Sequence, residues 1–305
     1  LLNMRLYLSR IIFLVAAGTI LPLGGCLTTY TPTAQADERP KEAYVSHSVG
    51  GTHWRTFVDN ETWFQGFGPN LLVLSTKNGA VLDKLVCFPV GKSGALVDLV
   101  KYQGDLIAVL DRTAVVRIDR TNPSALMVVE TIKEKALGIR PESLSVVDGD
   151  LYVSGLGGVI RLDTGERFLA GAEVCGRVVG TAVGRVATRD REIIRLSDET
   201  ILGRATDLQN IFAPVGTPKL IAFIDQEKDS ARVGIMDSNL QEISAEVVDG
   251  EVIRLREING RLWAVTPSGM TTWKIASGGL SDAQKIRVRG ALDIDMVGPN
   301  TYAIA

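Results

Sequence analysis

The residue types that most often do nucleophilic or metal chemistry are scarce in this chain, which has three cysteines and two histidines among 305 residues. His47 and His53 lie six apart, but no cysteine or carboxylate cluster completes a four-ligand set around them. Gly50-Gly51 between them reads as a turn between strands. A serine-hydrolase triad would have to use one of these imidazoles, and no G-x-S-x-G elbow leads into a helix. Gly155, Gly157 and Gly158 suggest a phosphate cradle, yet no helix follows them, so a hairpin turn is expected. Cys26 stands apart because of its neighbours: it directly follows Leu23, Gly24 and Gly25.

Arg5 and Arg10 flank the start of an apolar run, residues 11–23. That run is short for a bilayer span, which takes about 20 apolar residues, and it reads as the core of an export signal. Leu23-Gly24-Gly25-Cys26 resembles the lipobox of bacterial lipoproteins. The resemblance implies cleavage before Cys26, a diacylglycerol on its thiol, and anchoring to a membrane. Leu27 stands where an aspartate would resemble an inner-membrane retention signal. The resemblance therefore favours the outer membrane, with the folded part facing the periplasm. Residues 28–42 (TTYTPTAQADERPKE) carry two prolines and no apolar period, as a flexible tether would. The expected organisation is an export signal over residues 1–25, a tether over 26–42 and one folded domain over 43–305. Loss of Arg5 and Arg10 takes the formal net charge from −2 to −4. No basic run remains, which argues against a nucleic-acid partner.

Past the tether, helix signals give way to short alternating runs broken by Gly, Asn, Asp and Pro. Residues 55–79 and 144–165 read alike: strand, Asp-Asn or Asp-Gly turn, strand, Gly-rich turn, strand, and a turn ending in Gly. The frame recurs in 96–119, 177–197, 211–237 and 253–275, and a last copy from Ala291 stops after its second strand. Second strands open at Thr62, Leu106, Leu151, Val186, Leu220, Leu262 and Thr301, spaced by 34 to 45 residues. A period of about 40 is the length of a four-stranded propeller blade. Fourth strands are expected at 80–87, 126–132, 167–170, 200–204, 242–247 and 283–288. The fold class expected is all-β, a propeller of seven four-stranded blades. Six is the alternative if the first copy and the C-terminal strands share a blade. Residues 44–49 (YVSHSV) are expected to pair with 291–305, closing the ring and protecting its edges.

Residues 115–126 (VVRIDRTNPSAL) resemble the LVIVD repeat, and residues 71–82 (LLVLSTKNGAVL) resemble the blade of quinoprotein-type propellers. The latter departs from its family in lacking the tryptophan near the motif's end. Each resemblance covers single blades. Anchor and fold together are similar to quinoprotein-type outer-membrane assembly lipoproteins, which implies a protein-binding scaffold. No partner-binding motif carries over.

Within this frame Asp98, Asp148, Asp293 and Asp295 fall in or near inner strands. Calcium takes six to eight oxygen ligands, and the equivalent inner positions are too often apolar or varied to supply them. Asp59 and Asp148 share a place in two copies, which favours a turn role. Trp63, Tyr152, Trp263 and Tyr302 match between copies, which points to packing between blades. Arg185, Arg189, Arg191 and Arg195 give the fourth copy a basic face, solvated or turned to an acidic partner or lipid head group. Cys87 and Cys175 fall in blades across the ring, beyond the roughly 7 Å that a disulfide spans, and each reads as a small buried hydrophobe. The sequence thus predicts no catalytic residue, no cofactor and no metal ligand. It predicts a scaffold held at the membrane through Cys26 and bound to other envelope proteins. A metal-dependent hydrolase or lactonase at the central channel, and a carbohydrate or peptidoglycan binder, are the alternatives.

Overall fold

Alternating apolar and polar residues separated by turn residues fold as antiparallel hairpins, because a strand places successive side chains on opposite faces. The computed structural model describes residues 12–13, 53–87, 95–211, 219–276, 278–298 and 301–305. Among them are six four-stranded antiparallel sheets, each made of consecutive strands. Blade 1 is His53–Asp59, Thr62–Phe67, Asn70–Ser75 and Val81–Val86. Blade 2 is Leu96–Tyr102, Asp105–Leu110, Ala114–Asp119 and Met127–Lys133. Blade 3 is Arg140–Val147, Asp150–Leu156, Gly158–Arg161 and Glu166–Phe168. Blade 4 is Val179–Thr181, Gly184–Arg189, Glu192–Arg195 and Ile201–Arg204. Blade 5 is Asp207–Ile211, Leu220–Gln226, Ser230–Met236 and Glu242–Asp249. Blade 6 is Arg254–Ile258, Arg261–Thr266, Gly269–Ala276 and Gly279–Ile286. The fold is a β-propeller.

Among the described residues the count of four-stranded blades is six, not the expected seven. The C-terminal pair Ile294–Gly298 and Thr301–Ile304 forms a sheet of its own and does not share blade 1. Its third strand is Ile12–Phe13, from the apolar run read as an export signal, with Ile12 opposite Ile304. This closing sheet is therefore three-stranded among the described residues: the last copy supplies only two strands. Residues 44–49, expected to pair there, lie outside the described residues.

Turn chemistry sets the register inside each blade. Asn60, Gln103, Asp148 and Asn259 all take φ between 49° and 54° at the first turn position after an inner strand. Gly104, Gly149 and Gly260 follow three of them with positive φ, the paired left-handed geometry that two-residue hairpins demand. The turn partner of Asp148 is thus Asn60, one residue beyond the predicted Asp59. Gly157 and Gly158 turn blade 3 from its second to its third strand at φ 98° and 131°, as the hairpin reading required.

The core lies between sheets. Seven buried apolar clusters separate the seven sheets, one at each seam. Trp63, Leu72 and Leu74 of blade 1 pack on Ala303 of the closing sheet. Trp263 of blade 6 packs on Tyr302 of that same sheet, ring centroids 5.0 Å apart. Tyr152 fills the seam between blades 3 and 4. These aromatics hold neighbouring blades together, as their repetition predicted. The one helix described, Glu134–Leu137, links blades 2 and 3.

Candidate functional site in the central channel

The innermost strand of every sheet faces the ring's axis, so one register position repeated seven times makes a belt around the channel. Take the residue opposite the fifth residue of each second strand. In blade order it is Arg55 (opposite Gly66), Asp98 (Val109), Ser143 (Ser154), then Arg177 before the blade 4 inner strand. Asp207 (Ile224) and Arg254 (Val265) follow, and Asp293 leads into the closing sheet. Charge alternates around this belt, with a single serine interrupting. In blades 1, 2 and 3 a register shift falls immediately before the belt residue. Such bulges re-aim the side chain that follows.

The belt is bonded across seams. Arg55 reaches both neighbours, Asp98 and Asp293, each at 2.9 Å. Arg177 spans past Ser143 to Asp98 at 2.8 Å and also meets Asp207 at 3.5 Å. Arg256, two residues past Arg254, grips Asp293 through Nε at 2.9 Å and Nη2 at 3.1 Å, and donates to the Thr56 carbonyl at 2.7 Å. Each belt aspartate accepts the next residue's N–H: Leu99, Leu208 and Ile294. Asp98 and Asp293 also accept an N–H from the following blade, Leu144 at 2.9 Å and Thr56 at 3.1 Å. Asp295 takes the Val58 N–H at 2.9 Å. Buried carboxylates need such partners, because charge leaves water only at several kcal/mol per ion.

Electrostatics follow from this wiring. Burial would raise Asp98 and Asp293, but the arginines outweigh it and hold both well below the usual carboxylate range: Arg177 and Arg55 for the first, Arg256 and Arg55 for the second. Asp295 is raised by its burial. Burial opposes Arg177 and Arg256, yet their aspartates carry both above the ordinary guanidinium value. Arg254 differs. Burial, then Arg55 and Arg177, push it down to about 9.

Above the belt opens a cavity of about 820 Å³, within the range of small-molecule sites. Arg55, Arg177, Arg254, Arg256, Lys101 and Lys219 give it positive charge against the single carboxylate Asp148; Leu99, Val100, Val146 and Val178 are among its apolar walls. No histidine or cysteine lines it. Among the described residues no group of three or more His, Cys, Asp and Glu is placed to hold a metal ion. Asp98 and Asp293 do converge on the channel, but a cation there would have to displace guanidinium groups. The arrangement suits holding an anion better than activating water on a metal.

Other predicted residues fall elsewhere. Leu23, Gly24, Gly25, Cys26 and His47 lie outside the described residues, and His53 opens blade 1. Cys87 and Cys175 are buried free thiols in different seams. The basic face expected of Arg185, Arg189, Arg191 and Arg195 is neutralised, because each pairs with a carboxylate: Asp150, Glu199, Asp225 and Asp198. Trp273 is buried between blades 5 and 6. Sequence reading found Asp98 and Asp293 but missed Arg55, Arg177, Asp207, Arg254 and Arg256. Their signal was available: counting back four residues from the end of each inner strand, five in the bulged closing sheet, lands on the belt.

No protein family matches the chain, and no curated protein matches it. Solved structures do. The computationally designed protein Ika8 is 12% identical with a TM-score of 0.54, over 87% of this chain and 83% of its own. BBS1N, solved in complex with ARL6DN, is 18% identical with a TM-score of 0.52, over 84% of each chain. The β-propeller domain of Cps50 (Swd1) from Myceliophteria thermophila is 10% identical with a TM-score of 0.54, over 83% of this chain and 96% of its own. At these identities the likeness shows the fold alone.

Proposed function

We propose that this chain is a membrane-anchored interaction scaffold of the bacterial cell envelope, tethered through a lipid on Cys26 and bound to other envelope proteins on the periplasmic side of the outer membrane. The observation that carries the scaffold reading is the apolar character of the open outer edges. The outer strands of blades 1 and 2 expose Val81, Val86, Met127 and Val129 by 52 to 60%. The Leu126 N–H reaches Asp83 at 2.8 Å, so the two edges adjoin. An outer strand also leaves backbone groups without ladder partners, and partners add strands to such edges. A propeller of similar fold, BBS1N, was solved with a protein bound. The anchor rests on the Leu23-Gly24-Gly25-Cys26 segment. A chain cut before Cys26 loses Ile12–Phe13 and frees the edge of Thr301–Ile304.

Two measurements test this reading. Labelled palmitate should enter the wild-type chain and not Cys26→Ser, which should move to the soluble fraction. A partner copurifying from gently solubilised envelope should be lost from a Val86→Lys, Val129→Lys double variant. Recovery as an unattached monomer in several detergents would count against the scaffold. An unlipidated wild-type chain that keeps residues 1–25 would remove the anchor.

A further inference from the structure

Arg254 is the one arginine of the belt for which no carboxylate partner is found among the described residues. Its Nη2 donates to the Val97 carbonyl at 3.3 Å, across the channel in blade 2. That carbonyl belongs to the residue skipped by the register shift between Leu96 and Asp98. Arg254 Nε and Arg55 Nε are both sealed from solvent without a hydrogen-bond partner. Asn210 Oδ1, in the same cavity wall, is likewise unpartnered, and Gln209 and Lys219 stand beside it. The site thus gathers a guanidinium bonded to no carboxylate among the described residues, the amides of Gln209 and Asn210 and the amine of Lys219, with Asp148 the one carboxylate in the wall. Around them the wall is aliphatic, and Val146 is 40% exposed within it.

We propose that the central channel binds a small organic carboxylate, its head group held by Arg254 with the Lys219 amine in the same wall, and its apolar body against Leu99, Val100, Val146 and Val178. The planar fork of a guanidinium matches a carboxylate through two parallel hydrogen bonds. The ligand would supply the directly bonded carboxylate that Arg254 lacks, so a guanidinium held only by a backbone carbonyl becomes part of an ion pair. This site goes beyond the scaffold reading and does not depend on the anchor or on the outer edges.

The test is thermal unfolding and calorimetry of the full chain at constant ionic strength, with adipate, hexanoate and inorganic phosphate as probes. Adipate or hexanoate should raise the melting temperature by about 5 °C at 100 times the dissociation constant, and phosphate should do so less. Arg254→Met should abolish the shift while raising the melting temperature of the unliganded chain, because the variant no longer buries a charge that has no carboxylate bonded to it. A residue kept for structure would lower it. Arg254→Lys, which keeps charge but not the fork, should weaken binding on the order of tenfold and decides the matter if the Met variant does not fold. A shift by phosphate alone, no shift with any probe, or a shift that survives both variants would overturn the proposal.

Discussion

Arg177 Nη2 lies 2.8 Å from Asp98 Oδ2 although Asp98 is in blade 2 and Arg177 leads into blade 4, with blade 3 between them. Blade 3 places Ser143 at the equivalent position, and Ser143 turns to Ser154 at 2.7 Å. The neutral residue leaves a gap in the alternation, and the length of an arginine bridges it. Asp98 consequently serves two guanidiniums, Arg177 and Arg55, with no exposed surface of its own.

Asp98 should therefore be a keystone of stability. Asp98→Ala strands two buried cations and is expected to lose about 3–5 kcal/mol in urea unfolding. Adding Arg55→Met should recover part of that loss, giving a favourable coupling between the two sites in a double-mutant cycle. Additive losses would mean that the pair does not interact.

Acid should loosen the ring. Asp98 and Asp293 are held below the usual carboxylate range, so above that range both folded and unfolded chains are deprotonated and the stabilisation is complete. As pH falls through the ordinary value, about 3.9, the unfolded chain takes up protons that the folded ring refuses. Stability then falls, and keeps falling toward the lowered folded-state values. Asp295, raised by burial, has the opposite sign, but it is one group against two. Urea midpoints should drop between about pH 5 and pH 3, with a shallower drop in Asp98→Asn. Midpoints that hold constant across that interval would contradict the wiring.

The cysteines give a counting experiment. Burial pushes the Cys87 thiol up to about 12 and the Cys175 thiol up to about 11. Neither should react with a thiol reagent at about pH 8 in the native chain, because the thiolate is the reactive form. In denaturant two thiols should appear if Cys26 is acylated and three if it is free. Rapid native labelling of Cys87 or Cys175 would place them wrongly.

Ring closure can be read at Trp63. It is fully buried against Ala303, and its Nε1 donates to Thr56 Oγ1 at 2.6 Å. Trp63→Ala should cost about 3–5 kcal/mol, as large deletions in a core do. A loss below about 1 kcal/mol would show that this seam contributes little to holding the ring.

Much of this fold was legible in the residues. The second-strand openings Thr62, Leu106, Leu151, Val186, Leu220, Leu262 and Thr301 all fall on second strands. Alternation and turn residues are local, and local spacing suffices to count hairpins. The belt was less legible because it is written as complementarity and not as repetition. A search for similar residues at equivalent positions discards Arg55, Asp98 and Arg254 as unlike, when opposite charge is what unites neighbouring blades. Bulges before Arg55 and Asp98 further displaced the register.

By itself the chain determined its strands, its turns and the packing of one sheet on the next, since each depends on contacts within about one repeat. Only the closed ring decided which charges meet. Arg55 and Asp293 are 238 positions apart yet bonded at 2.9 Å, Arg254 crosses to Val97, and the closing sheet takes Ile12–Phe13 as its third strand. Those distances exist only after the two extremes of the propeller have been brought side by side, where low dielectric makes each pairing, or its absence, strongly felt.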